Sequence, residues 1–271
     1  MMGGSVPTLS HDILTPQPHE KALNMTIRFL ATAFMLLQAI SAQANDITVI
    51  ASTGMSTLFK QMIPAFERSS GHKVVISYDT SNIILGRINA GETGDMVVLT
   101  GPVIDNLTQQ GKLVAGSRVD LAKSGVGVAV RSGAAKPDIS SVEAFKHTLL
   151  AAQSIAYTAT GASGIYFAGV TEKLGIGAQI KAKAKTPSGG HVAELVAKGE
   201  AELAVQMISE LRGVPGADYV GPLPADLQMF TVFSAGLFPG AKQAEAAQAL
   251  IRFLTTPEAA RVYQSNGMEP G

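Results

Sequence analysis

The sequence contains no cysteine and no tryptophan, and its 21 basic side chains are matched by 21 acidic ones. Without thiols there is no disulfide framework, no cysteine nucleophile and no thiolate metal site. A formal net charge of zero leaves no excess of the basic side chains with which a face would grip nucleic acid. Several catalytic signatures are missing too. There is no G-x-S-x-G elbow, no H-E-x-x-H, no Walker A loop, no G-x-G-x-x-G and no paired His/Asp metal spacing. These absences argue against metal and nucleotide chemistry, and neither a cofactor nor a metal is expected.

Long apolar runs are also scarce. The main one, Phe29 to Ile40, is too short to span a bilayer. It follows Met25-Thr-Ile-Arg28 and precedes Ala42-Gln43-Ala44, an A-x-A cleavage site, so 25–44 reads as a secretory signal peptide. Residues 1–24, with Pro7, Pro16 and Pro18 and no apolar period, read as an unstructured extension. The mature chain from Asn45 would then be periplasmic, a monomer, and not inserted in the membrane.

What is present is a regular alternation. Asp46–Ala51, Lys73–Tyr78 and Asp95–Leu99 read as strands, each followed by an amphipathic helical run. Ser154–Tyr157 and Ala201–Gln206 repeat the pattern later in the chain. Two longer apolar stretches differ. Leu121 to Arg131 carries Gly125 and Gly127, as a strand does that must bend or pass close to other backbone. Gln228 to Leu237 is the second. Both read as crossings between two α/β units. The expected fold is therefore α/β and two-lobed, each lobe a mostly parallel sheet flanked by helices. Lobe 1 would hold 45–124 plus 233–271, and lobe 2 would hold 125–232.

Ligands in such sheets sit beyond the carboxyl ends of the strands. Four turns fall there: Ser52–Thr57, Asp79–Asn82, Thr158–Tyr166 and Thr186–His191. Their polar residues are hydroxyls, amides, glycines and one imidazole. None contains Lys or Arg, and only the second has a carboxylate, Asp79. Each can serve simply as a helix cap. Converging on one cleft, they would hold a desolvated oxyanion through dipoles and N–H donors. His191 reads as a surface or capping histidine, or as a group that could donate to that anion or move a proton. Arg87, one turn past Ser81-Asn82, could clamp a carboxylate or lie on a solvated helix face.

Taken together, the pattern resembles the periplasmic molybdate-binding protein family, the type II substrate-binding proteins of ABC importers. The residues that carry the likeness are Ile47–Thr53, Thr80–Ile88 with Ala90–Asp95, Ala162–Tyr166, Gly199–Val205 and Phe253–Ala260. The resemblance implies oxyanion donors at Thr53 or Gly54, at Ser81 or Asn82, at Ser163, and at Gly190 or His191. Where the family has a donor Tyr after the next strand, this chain has Gln206. An amide and an imidazole suit a carboxylate or another small anion. The leading expectation is a solute-binding protein that closes over a small anion and delivers it to an ABC permease. The alternative is a cofactor-free aconitate isomerase on the same fold, with His191 as its base.

Overall fold

The computed structural model describes residues 46–271, together with Met1, Gly3 and Gly4. The expected signal peptide and nearly all of the expected extension lie outside the described residues.

Three strand–helix repeats open the chain. Strand β1 (Asp46–Ser52) leads through a 3-10 turn (Thr53–Met55) into α1 (Ser56–Ser70). Leu58, Phe59, Met62, Ile63 and Phe66 recur at helical spacing and are all buried. Fully burying each such side chain contributes roughly 1.5–3 kcal/mol, which makes this face the main anchor of the helix. Gly71 ends it at φ 75°, and its N–H caps Glu67 O. Then follow β2 (Lys73–Asp79), α2 (Ser81–Asn89), β3 (Met96–Thr100) and α3 (Gly101–Gln109). Strand β1 lies between β2 and β3, parallel to both.

The long strand β4 (Val119–Arg131) runs through the centre of the molecule. Its first half pairs antiparallel with β9 (Phe230–Leu237) and β10 (Met268–Pro270). Its second half pairs with β7 (Leu203–Met207) and β8 (Ala217–Pro222). The glycines of β4 stand where a side chain would not fit. A Cβ on Gly127 would lie 2.8 Å from the Tyr219 ring and 3.0 Å from Gly221 O. One on Gly125 would lie 3.1 Å from the Gln228 amide. That amide occupies the ladder position instead, accepting from Val126 N (2.8 Å) and donating to Val126 O (2.9 Å).

Beyond β4 the strand–helix pattern resumes with α4 (Val142–Ala151), β5 (Ile155–Ala156), α5 (Ala162–Lys173), α6 (Gly177–Ala182), β6 (Ala184–Lys185), α7 (Ala193–Ala197) and α8 (Ile208–Leu211). The capping serine of α4 is Ser141, whose hydroxyl accepts from Ala144 N. Strand β5 is parallel to both β6 and β7. Two final helices, α9 (Ala244–Leu254) and α10 (Pro257–Ser265), pack on the first half.

The strand order is β2-β1-β3-β9-β4-β7-β5-β6. Parallel pairs thus occupy the outer parts of the sheet, and antiparallel β9 and β4 join them at the centre. Strands β1, β3 and β7 end at residues 52, 100 and 207, all beside one cavity.

Candidate functional site

That cavity has a volume of about 20 Å³, room for a group about the size of one water. The first half of the sheet contributes Ser52 and Thr53 from the end of β1, Thr80 and Ser81 from the start of α2, and Thr100 from the end of β3. The second half contributes Thr158, Gly161, Ala162 and Ser163 from the start of α5, and Gln206, Met207 and Glu210 from β7 and α8. Phe233 of β9 completes the wall. Among the described residues, no Lys or Arg lines it.

Most of these groups are strand ends or first-turn helix residues, where backbone N–H groups have no partner in the helix. The hydroxyls differ in how they are engaged. Ser81 Oγ accepts from Thr100 N at 3.1 Å and so ties α2 to β3. Thr80 Oγ1 caps Ile83 N at 3.4 Å. Ser52, Thr53, Thr158 and Ser163 are all buried. Thr158 is 2 % exposed, and its Oγ1 has no hydrogen-bond partner among the described residues. An unpartnered buried hydroxyl costs about 1–3 kcal/mol of desolvation, a cost that a ligand oxygen would remove. Gly161 and Gly164 give Thr158 its room. A Cβ at Gly161 would collide with Thr158 Oγ1, and one at Gly164 with the Thr158 carbonyl.

Glu210 is the one carboxyl in the wall. It is 7 % exposed and forms no ion pair among the described residues. Burial pushes its pKa up to about 8, against the opposing pull of the Met207 backbone N–H. Gln206 Nε2 donates to Glu210 Oε1 at 3.0 Å and to Gly190 O at 2.8 Å. Gln206 Oε1 accepts from Val192 N at 3.0 Å. Both amide hydrogens are therefore engaged within the protein. Gln206 lines the cavity, but it works by fixing the Glu210 carboxyl and the turn before α7.

The other sequence-derived candidates are distributed around this centre. Thr53, Ser81 and Ser163 line the cavity with Gln206. Gly54 lies under the Phe233 ring, where a Cβ would be 2.5 Å from Cζ, and its carbonyl accepts from Ser209 Oγ. Asn82 Nδ2 donates to Thr160 O at 2.9 Å, while Thr80 Oγ1 meets Thr160 Oγ1 at 3.0 Å. These contacts join α2 to the turn before α5 across the cavity. Gly190 adopts φ 85° and offers its carbonyl to Gln206.

His191 does not line the cavity. Its Nδ1 lies 3.2 Å from Glu210 O and its Nε2 lies 3.1 Å from Ser56 Oγ. A carbonyl only accepts, so Nδ1 carries the proton, and Nε2 of the neutral ring accepts from Ser56. Arg87 is held in a fork by Glu92, at 2.6 Å from Nε to Oε2 and 2.5 Å from Nη2 to Oε1, with Asp79 Oδ2 3.9 Å from Nη1. Its guanidinium belongs to that surface network and not to the cavity wall.

Sequence reasoning did not single out Glu210, Thr100 or Phe233. The available signal for Glu210 was its position in the short helical segment Ile208–Leu211 directly after β7, four residues past Gln206. Among the described residues, no group of three or more His, Asp or Glu could hold a metal ion. No helix among them is long and apolar enough to cross a membrane.

The chain is 37% identical over 251 residues to a Pseudomonas sp. protein named aconitate isomerase, covering 89% of this chain and 95% of that one. It is 29% identical over 248 residues to the molybdate-binding protein of Azotobacter vinelandii, covering 85% and 92%. The structure of the Azotobacter vinelandii periplasmic molybdate-binding protein superposes with a TM-score of 0.71 at 19% identity, over 82% of this chain and 98% of that one. Residues 47–269 match the bacterial extracellular solute-binding protein family. The chain belongs to that family and has the two-lobed α/β fold of type II periplasmic binding proteins.

Proposed function

We propose that this protein is a cofactor-free isomerase that moves a proton along a small unsaturated polycarboxylate, an aconitate isomerase-type reaction. The observation that carries this reading is Glu210, a buried carboxyl without a cation partner in the wall of an otherwise neutral, hydroxyl-lined cavity. A site for passive anion capture gains nothing from a carboxylate, which would repel the ligand once ionised. A proton-transfer enzyme needs such a group, with a pKa near its working pH. The 37% identity to the Pseudomonas protein named aconitate isomerase supports the same choice.

In this reading the ionised Glu210 takes a proton from the methylene carbon of the substrate. The charge left behind delocalises into the neighbouring double bond and carboxylate. Thr158 Oγ1, Ser163 and the free N–H groups at the start of α5 stabilise it as it develops. Glu210 then returns the proton to the other end of the allylic system, so atoms and charge balance with no co-reactant. Gln206 and His191 act from outside the cavity by holding Glu210 and its helix.

The substrate is far larger than the cavity of about 20 Å³. Exchange with solvent would therefore part the two halves at the Thr80–Thr160 and Asn82–Thr160 contacts, as a hinge motion. The lobes of this motion would be 45–124 with 233–271, and 125–232. Export through the leader at 25–44 would place the reaction in the periplasm.

A second reading keeps the same cavity for capture of a small oxyanion and its delivery to an ABC permease. The wholly neutral donor set, with no Lys or Arg in the wall, favours it, as does the 29% identity to the molybdate-binding protein. A thermal-shift series with molybdate, sulfate, citrate and both aconitates, with NMR of each aconitate after incubation, separates the two. Stabilisation and interconversion by the aconitates support the isomerase. Stabilisation by molybdate alone, with both aconitates unchanged, overturns it in favour of import.

A further inference from the structure

A polycarboxylate carries two or three negative charges, and the Glu210 cavity has no cation to meet them. Two of its wall residues, Thr100 and Ala162, also line a second hollow of about 440 Å³. Arg118 and Asp105 stand on the wall of this hollow, and Met229, Phe230 and Val232 supply apolar surface. Phe230 is 55% exposed, one of the few large apolar side chains left uncovered.

Arg118 is anchored on two of its three nitrogens. Nε donates to Asp120 Oδ1 at 2.9 Å, and Nη1 donates to Asp105 Oδ1 at 2.6 Å and Oδ2 at 2.7 Å. Asp120 is itself held by Ser234 Oγ at 2.6 Å. Nη2 forms no hydrogen bond among the described residues. Room for it depends on Gly101, where a Cβ would lie only 2.9 Å from Nη2. The guanidinium is thus fixed in orientation with one edge left over, the arrangement that suits a charge-assisted bond to a carboxylate.

We propose that Arg118 is a specificity-determining residue for polycarboxylates. Its Nη2 edge takes a terminal carboxylate, while the reacting end of the same molecule lies against Glu210. The carbon frame crosses at Thr100 and Ala162 and rests on Met229 and Phe230. This inference rests on the isomerase reading and deepens it, because it supplies the cation that the reacting cavity lacks. Asp105 competes with the ligand for the same guanidinium and limits affinity.

The two neighbours of the ligand site make opposite predictions. Calorimetric titration would compare the unaltered protein, Arg118→Gln and Asp105→Asn, each against trans-aconitate and against itaconate. Itaconate keeps the branched carbon frame but lacks one terminal carboxylate. Arg118→Gln should weaken aconitate binding roughly tenfold or more and change itaconate less than about twofold. Asp105→Asn should tighten aconitate several-fold. A purely structural ion-pair network would instead weaken both ligands in both variants, and that result overturns the proposal. If the unaltered protein converts aconitate but Arg118→Gln leaves the aconitate-to-itaconate ratio unchanged, only the role of Arg118 falls. If the unaltered protein neither binds nor converts any polycarboxylate, the proposal falls together with the functional reading.

Discussion

Gln206 Nε2 donates to Glu210 Oε1 across 3.0 Å, from the end of β7 to the helix that follows it. The same amide holds Gly190 O and Val192 N, so one side chain couples the position of a buried carboxyl to the turn before α7. Gln206→Met keeps the volume and removes all three bonds. It is expected to destabilise the protein by about 2–4 kcal/mol, because buried backbone groups lose their partners. It also removes a donor to the carboxylate, which raises the Glu210 pKa further. Urea unfolding checks the first effect, and an upward shift of the pH–rate limb checks the second.

The elevated pKa of Glu210 makes a signed prediction about stability. Its value in the fold, about 8, lies above the ordinary glutamate value of 4.5. Between these pH values the folded chain holds a proton that the unfolded chain has released. Stability is fully present below about pH 4.5 and declines as pH rises toward 8, by up to about 1.4 kcal/mol per pH unit from this group. In Glu210→Gln that decline should be missing. Urea unfolding of both proteins at pH 5, 6.5 and 8 checks it.

Thr158→Val replaces the unpartnered hydroxyl with a methyl of similar shape. Stability should stay the same or rise by about 1 kcal/mol, since a buried unsatisfied group is removed. Ligand affinity should fall about five- to tenfold. Paired melting and calorimetry measure the two effects, and their opposite direction marks a residue shaped for binding.

Two glycines of α5 should respond in opposite ways. Gly164→Ala drives a Cβ into the Thr158 carbonyl and should cost more than about 2 kcal/mol. Gly169→Ala, with nothing within 4 Å of the added Cβ, should stabilise by up to about 1 kcal/mol through helix propensity. Thermal unfolding of the two variants is sufficient.

Much of the fold was legible because it is written in local signals. The apolar face of α1, Gly71 at its end and the short apolar strands β1 and β3 are periodic patterns bounded by terminators. Even Gly125 and Gly127 could be read as marking a bend or a close approach, the two roles glycine has inside such a strand. The cavity was only partly legible. Thr53, Ser81 and Ser163 could be placed from strand ends, where the fold itself dictates that ligands sit, and Gln206 from the resemblance to the molybdate-binding family. Glu210 could not, because what distinguishes it is burial without a cation, and burial comes from segments far apart in the chain. His191 and Arg87 drew attention as charged or titratable types beside the turns. The partner of His191, Ser56, is a tertiary contact that spacing does not reveal, and the partner of Arg87, Glu92, lies five residues on, just past the end of α2.

The central claim is that Glu210 transfers a proton within a polycarboxylate. The direct measurement is NMR of cis- and trans-aconitate in deuterated buffer near pH 8, with the unaltered protein and with Glu210→Gln, alongside calorimetric binding. The account predicts interconversion for the unaltered protein, and because Glu210 carries the substrate's own proton across, at least part of the product should remain undeuterated. For Glu210→Gln it predicts at least a hundredfold slower conversion with binding retained. Conversion by Glu210→Gln at the unaltered rate, or none by the unaltered protein while it binds the ligand, would contradict it.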